Sequence, residues 1–223
     1  MNTKQTGFTM VELAMVLVVI GILMGGVLKG MEMITNTKLK KMQAQQAGTI
    51  AAMNLYYDRY TQYPGDDPAA TSHFTALNGK PEYNGDGDGF IGTGDDWDMD
   101  ESAPFVAGEQ ETLKFWSHLR AAGFVEGTYN KHSRPTHAMQ DGKIGIQAGG
   151  LEIRYHVLVF GNLDGDMAWI LDSRWDEGKA DTGALQSAEI TEDLEYSNAP
   201  ATSYMPDLKY NLVWKLVGTN ATN

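Results

Sequence analysis

The first feature of the chain is an apolar run near its start, which one acidic residue interrupts. Glu12 is the only charged side chain from Phe8 to Leu28, and no residue from Leu13 onward in this run carries a side-chain amide. The run reaches the roughly 20 residues that a helix needs to cross the hydrocarbon core of a bilayer. It therefore predicts a membrane-spanning helix.

Apolar side chains at helical spacing continue beyond this run to about Tyr60. No proline occurs before Pro64, which disfavours helical dihedral angles at the residue that precedes it. The pattern predicts one long helix, whose first half spans a membrane and whose second half packs on a head. The later positions that carry this spacing are Met42, Ile50, Met53, Tyr57 and Tyr60.

The rest of the pattern predicts short helices and antiparallel strands. A helix is expected from about Glu111 to Ala122, and period-2 alternation predicts strands at 151–160 and 210–217. Residues 167–171 are expected to be the hairpin partner of the first strand. The predicted fold class is therefore α+β: a long N-terminal hydrophobic α-helix packed against a C-terminal antiparallel β-sheet head with short helices and acidic loops.

Glu12 needs a positively charged partner in a membrane. An ionised carboxylate costs about 2.5–3.5 kcal/mol in the middle of a spanning helix, and less near its end. If the chain were cut between Gly7 and Phe8, the new amine of Phe8 would lie about one helical turn from Glu12. The carboxylate of a neighbouring copy could then neutralise that amine, which favours side-by-side packing of copies.

At Gly7, Phe8 and Glu12 the chain resembles the type IV pilin and type II secretion pseudopilin superfamily. Prepilin peptidase cuts such precursors between the Gly and the Phe, and Glu is the fifth residue of the mature chain. The segment YPGDD, from Tyr63 to Asp67, is similar to a Pro-Gly-Asp subfamily. The alternative, a secretory signal peptide, lacks the small-residue cleavage site that would follow the apolar run.

The resemblance implies a division of the chain and a location. Residues 1–7 form the leader, residues 8–62 form the long helix with its membrane span and filament core at 8–28, and residues 63–223 form the head. The precursor would be a single-pass inner-membrane protein, and the assembled filament would lie in the periplasm or on the cell surface. The lysines alone would favour the opposite orientation, because more of them follow the span than precede it.

The same resemblance implies the partners. They are prepilin peptidase, the inner-membrane assembly machinery, and other copies or other pilin-like subunits. After cleavage, the Phe8 amine would be methylated.

The net charge of -12 argues against a nucleic-acid-binding surface and against adhesion to anionic lipid. Because the chain has no cysteine, the glycine-rich, acidic loops of the head need another brace. A bound cation is the obvious candidate.

One acidic loop has the ligand spacing of an EF-hand-type calcium site. Counted from its first residue, oxygen ligands fall at positions 1, 3, 5, 7 and 12, with Gly89 at the turn position. Asn at the first position and Asp at the last depart from the usual pattern, and the alternative is a solvated acidic turn. Hard oxygen donors favour Ca²⁺. The predicted ligands are Asn84, Asp86, Asp88, the Phe90 carbonyl and Asp95.

A second, weaker calcium site follows from the resemblance. Asp172, Asp176 and Asp181 lie in the loop where major pseudopilins of secretion systems hold calcium. This position match is loose, because Glu177 stands where the subfamily has a second Asp. The site is a hypothesis alongside the first one.

The sequence does not favour an enzyme. His132 and His137 are not at the i,i+4 spacing of a helical zinc pair, and no nucleophile elbow or phosphate loop is present. Trp116 and His118 are interpreted as packing residues. The predicted function is a structural subunit of a type IV pilus-like filament or a type II secretion pseudopilus. The alternative is a membrane-anchored, monomeric calcium-binding module for adhesion or binding.

Overall fold

The computed structural model describes residues 7–74, 83–92, 97, 101, 110–127, 133–139, 142–151, 153–190 and 199–220. The chain forms two compact units, residues 1–41 and 42–223. Among the described residues there are four helices and four strands. The α+β class that the sequence predicts is therefore confirmed.

The long N-terminal helix, α1, runs from Met10 to Tyr60. It ends where Thr61 adopts a positive φ of 57°, three residues before Pro64. Within the described residues it is the one helix long and apolar enough to cross a membrane. The predicted length of this helix is confirmed at both ends to within a few residues.

The second unit contains an antiparallel sheet of four strands in the order β1-β2-β4-β3. Two of the strands, β2 and β4, are the ones that apolar alternation predicts. The outer strands, β1 and β3, were not predicted. The bounds are β1 Ile144–Gly150, β2 Ile153–Asp164, β3 Leu185–Ile190 and β4 Lys209–Asn220.

Three shorter helices accompany the sheet: α2 (Ala70–His73), α3 (Glu111–Ala121) and α4 (Gly165–Trp175). Helix α3, which lies against β1, forms where the sequence predicts it. Helix α4 lies against β2, β3 and β4.

The strand predicted at residues 167–171 is wrong, because these residues lie in α4. The buried positions of α4 are Gly165, Ala168, Leu171 and Asp172, which recur at helical and not at alternating spacing. Trp169 is about half exposed, so the apolar run MAWIL is not buried on one side as a strand. A short apolar run does not distinguish a strand from a helix by itself.

Within the second unit, the end of α1 packs on α2 and α3 through aromatic rings. Tyr56 is fully buried, stacks on His118 of α3 with ring centroids 6.2 Å apart, and lies 6.3 Å from Phe74. Tyr60 stacks on His73 at 4.7 Å. These contacts place the turn after α1 beside α2 and α3, where the acidic cluster described below is found.

Candidate functional site

The predicted cleavage junction precedes α1 directly. Phe8 is 80% exposed, and a side chain added at Gly7 would meet nothing within 4 Å. Thr9 and Glu12 form a capping box: the Glu12 carboxylate accepts hydrogen bonds from the Thr9 amide and hydroxyl, each at 2.8 Å. The Glu12 amide donates to the Thr9 hydroxyl oxygen at 3.2 Å. In a single chain, Glu12 therefore stabilises the start of its own helix.

The first part of α1 exposes apolar side chains all round. Every residue from Gly7 to Lys29 is exposed. A helix that is apolar on all sides is stable only when lipid or other helices cover it. This segment is therefore a surface for burial in a membrane or against other helices.

Four carboxylates converge in the second unit: Asp66, Asp86, Asp88 and Glu111. One oxygen from each lies within 4.8 Å of the others. They come from three segments: the turn after α1, the loop at 83–92 and the first residue of α3. Asp66 and Glu111 are buried, whereas Asp86 and Asp88 are exposed. The cluster therefore joins three segments with a partly buried group of acids.

Backbone amides hold the two buried carboxylates in place. Glu111 accepts hydrogen bonds from the amides of Asp86 at 2.9 Å and Gly92 at 3.0 Å. The Oδ2 atom of Asp66 accepts one from the Gly89 amide at 3.1 Å. Because these donors belong to the loop, the loop wraps around the buried acids.

The buried acids are electrostatically strained. Burial is the main cause that raises the pKa of Asp66 to about 6; the amides of Gly89 and Gly87 oppose this shift, and the charges of Asp88 and Asp86 contribute to it. Burial is also the main cause that raises the pKa of Glu111 to about 7, opposed by the amides of Gly92 and Asp86 and supported by repulsion from Asp66 and Asp86. The ionised forms are therefore disfavoured in this arrangement.

Two of the predicted loop ligands, Asp86 and Asp88, lie in this cluster. The side-chain oxygen of Asn84 accepts a hydrogen bond from the Thr71 amide at 2.8 Å, and the Phe90 amide donates to Asp88 at 2.8 Å. Asp95 lies outside the described residues. The EF-hand-type ligand set of the loop therefore stays a prediction.

The sequence analysis missed Asp66 and Glu111 as members of the site. Asp66 lies in the Pro-Gly-Asp segment, for which the sequence indicates only a resemblance to a subfamily. Glu111 was predicted only as the first residue of a helix. The predicted calcium loop, which begins at Asn84, contains neither of these two residues. Only the fold brings the turn, the loop and the helix start together.

In the second predicted calcium site, at Asp172, Asp176 and Asp181, two of the acids accept hydrogen bonds from within the chain. Asp172 is fully buried and accepts hydrogen bonds from the Tyr204 hydroxyl at 2.7 Å and the Gly178 amide at 3.1 Å. Asp176 accepts from the amides of Ala184 and Leu185 at 2.6 and 2.9 Å. Among the described residues, the acids that converge at cation-binding distance do not include this set. A calcium site there stays a prediction.

The histidines serve packing where the structure describes them. His118 is fully buried, with Nδ1 accepting the Gly65 amide at 2.9 Å and Nε2 lying 3.0 Å from the Tyr83 carbonyl oxygen. His137 is buried 2.8 Å from the Gly161 carbonyl oxygen. Trp116 is buried in α3, and His132 lies outside the described residues.

One comparison with known proteins is informative. The family described as the prokaryotic N-terminal methylation motif matches at residues 2–28, which includes the Gly7–Phe8 junction, Glu12 and the apolar run. No curated protein and no solved structure matches the chain. The matched residues include the start of α1, which is long and apolar enough to cross a membrane, and the motif is that of pilin-like precursors processed by prepilin peptidase. The chain carries the N-terminal signature of type IV pilin and pseudopilin precursors.

Proposed function

We propose that the mature chain begins at Phe8 and is a structural subunit of a type IV pilus-like filament or a type II secretion pseudopilus. The observation that carries this proposal is the methylation motif at residues 2–28, which includes the exposed apolar start of α1. The precursor is a single-pass protein of the inner membrane. The assembly machinery then moves the processed subunit into a filament in the periplasm or on the cell surface.

The exposed apolar helix supports assembly as well as anchoring. Gly21, Gly25, Gly26 and Gly30 have open space around them, so a second helix can approach the backbone there. In the precursor, lipid covers these positions. In the filament, the helices of neighbouring subunits replace the lipid.

Glu12 supports the same proposal through its charge. Cleavage after Gly7 creates a positive amine on Phe8, about one turn from Glu12. A carboxylate and an amine that meet in an apolar filament core neutralise each other, whereas either one alone is costly there. Pairing between neighbouring copies therefore sets the register of one subunit against the next.

Mass spectrometry of the mature N-terminus tests the processing step. The chain purified from cell membranes should begin at Phe8, and its mass should exceed that of unmodified residues 8–223 by one methyl group. Gly7→Val should block processing without changing the fold, because the position is open. Gly48→Ala is the matched control, since Gly48 is also open and lies far from the junction, and it should be processed normally.

The opposite result distinguishes the alternative function. A monomeric, membrane-anchored binding module has no need of cleavage, so a wild-type chain that keeps Met1 would contradict the filament proposal. Normal processing of Gly7→Val would contradict the assigned junction.

A further inference from the structure

We propose that Asp66, Asp86, Asp88 and Glu111 bind one Ca²⁺ ion and that this ion ties together the turn after α1, the loop at 83–92 and the start of α3. The site differs from the EF-hand-type loop that the sequence predicts, because half of its carboxylates come from outside that loop. It does not depend on the proposed filament function.

The buried carboxylate of Asp66 is the first argument for a cation. The side chain is 0% exposed, and no donor among the described residues forms a hydrogen bond with its Oδ1 atom. A buried carboxylate oxygen without a partner is costly, and proteins ordinarily satisfy it with a donor or a metal ion. This oxygen belongs to the same carboxylate that converges with three others.

The second argument is that the described residues supply no paired positive charge. Within the part of the chain that the structure describes, no lysine or arginine forms an ion pair with any of the four acids. The Lys114 ammonium group is buried nearby but donates to the Asn84 carbonyl at 2.9 Å. Four acids without a paired cation repel one another, and a divalent ion between them removes that repulsion.

The donor set selects the kind of ion. All four groups are hard carboxylate oxygens, and neither thiolate nor imidazole is among them, which disfavours zinc and copper. The two buried acids are fixed by loop amides, whereas the two exposed acids each accept one loop amide and are open to water. A mixed set of carboxylate and water oxygens of this kind suits calcium better than magnesium, which demands near-octahedral geometry.

Calcium titration of the full-length chain in detergent micelles tests the site. After removal of metals with EDTA and gel filtration, CaCl₂ at pH 7.5 should bind at this site with one ion per chain, and any further ion would occupy the predicted site at Asp172, Asp176 and Asp181. The melting temperature of the head should rise by roughly 5 °C at saturation. Absence of binding heat together with an unchanged melting temperature would overturn the proposal, and equal or tighter binding of MgCl₂ would overturn the choice of calcium.

Two matched variants locate the ion. Asp88→Asn keeps an oxygen that can accept the Phe90 amide, and Asp88 is exposed, so the fold in EDTA should be unchanged by circular dichroism. Its calcium affinity should fall by about tenfold or more. Asp66→Asn, which lies outside the loop and keeps an oxygen for the Gly89 amide, should lose affinity as well. Asp181→Asn, at an exposed acid of the other acidic loop, should bind like the wild type at this site. Normal binding by Asp66→Asn, or loss of affinity in Asp181→Asn with Asp88→Asn unaffected, would overturn the location.

Discussion

Glu12 has one partner in the single chain and a different proposed partner in the filament. In the single chain it caps α1 through Thr9. In the filament its charge would pair with the Phe8 amine of a neighbour. The two roles need different chemistry, because a neutral amide can complete a capping box but cannot neutralise an amine.

Two substitutions separate these roles. Glu12→Gln should keep the cap and Glu12→Ala should lose it, yet both should reduce filament yield by more than about tenfold, the effect of losing 1.4 kcal/mol or more per contact. Both chains should reach the membrane at wild-type levels. The yield is measured by quantifying filaments sheared from cells. Normal filaments from Glu12→Gln would show that the cap, and not the charge, is what assembly requires.

Gly85 is needed for a close approach between the loop and the turn after α1. Its amide donates to the Asp67 carbonyl at 2.9 Å, and a Cβ atom at this position would overlap the backbone of Asp66. Backbone atoms cannot move aside as a flexible side chain can. The fit between these two segments is therefore intolerant of even one methyl group.

Gly85→Ala should lower the free energy of unfolding of the head by about 1–3 kcal/mol, the usual range for overpacking. Gly48→Ala is the control, for which the free energy of unfolding should rise. It lies inside α1 in open space, where Ala stabilises a helix by up to about 1 kcal/mol relative to Gly. Urea unfolding of both variants measures the difference. A Gly85→Ala chain as stable as the wild type would contradict the close approach.

At the scale of elements, the sequence was informative where the pattern was long. Helix α1 and strands β2 and β4 carry sustained apolar periodicity, and α3 carries a clear start and a glycine stop. Strand β1, with the sequence IGIQAGG, is rich in small residues, and β3, LQSAEI, is half polar. Neither has enough apolar alternation to stand out, because neighbouring strands supply the packing that decides their conformation.

The acidic cluster shows a second limit. Asp86 and Asp88 stand out because their spacing in the loop is that of calcium ligands. Asp66 and Glu111 join them only through the fold, and residues far apart in the sequence leave no local pattern. Spacing therefore predicts ligands within one loop, but it does not predict a site that three segments build.

Strand β2 carries a buried histidine that should make the stability of the head depend on pH. Burial lowers the pKa of His156 to about 4, and its Nε2 atom accepts the Ile91 amide at 3.1 Å. Between pH 4 and 6.5 the unfolded chain then binds more protons than the folded chain at this residue. The contribution of neutral His156 to the free energy of unfolding is fully present above pH 6.5 and is lost as the pH falls toward 4.

His156→Gln isolates this effect, because the side-chain oxygen of Gln can accept the same amide but does not titrate. The stability of the wild type relative to the variant should fall by about 2–3 kcal/mol between pH 7 and pH 4.5. Buried carboxylates titrate in the same range with the opposite sign, but they are common to both chains and cancel in the difference. Unfolding by urea at several pH values measures it. A difference that is constant with pH would contradict a neutral, buried His156.

At the scale of the whole molecule, the division into two units suggests separate roles. The second unit has its own core, to which the end of α1 contributes Met42, Met53 and Tyr56 as fully or almost fully buried side chains. The first unit exposes its apolar residues from Phe8 to Ile34. We therefore assign the proposed anchoring and assembly to the first unit and the folding stability to the second.

A chain that begins at Met42 should therefore be a soluble monomer that melts cooperatively, because it retains the buried side chains of α1 other than Leu39. It should neither associate with membranes nor enter filaments. Size-exclusion chromatography and thermal unfolding check the first point, and cell fractionation checks the second. Aggregation or a non-cooperative transition would show that the head depends on residues before Met42.

The most direct test of the proposed assembly is cryo-electron microscopy of filaments sheared from cells that express the chain. We expect filaments whose subunits begin at Phe8, with the Glu12 carboxylate of one subunit within about 4 Å of the Phe8 amine of a neighbour. Filaments in which Glu12 contacts only its own Thr9, or a chain that stays in the membrane as isolated copies with residues 1–7 attached, would contradict it.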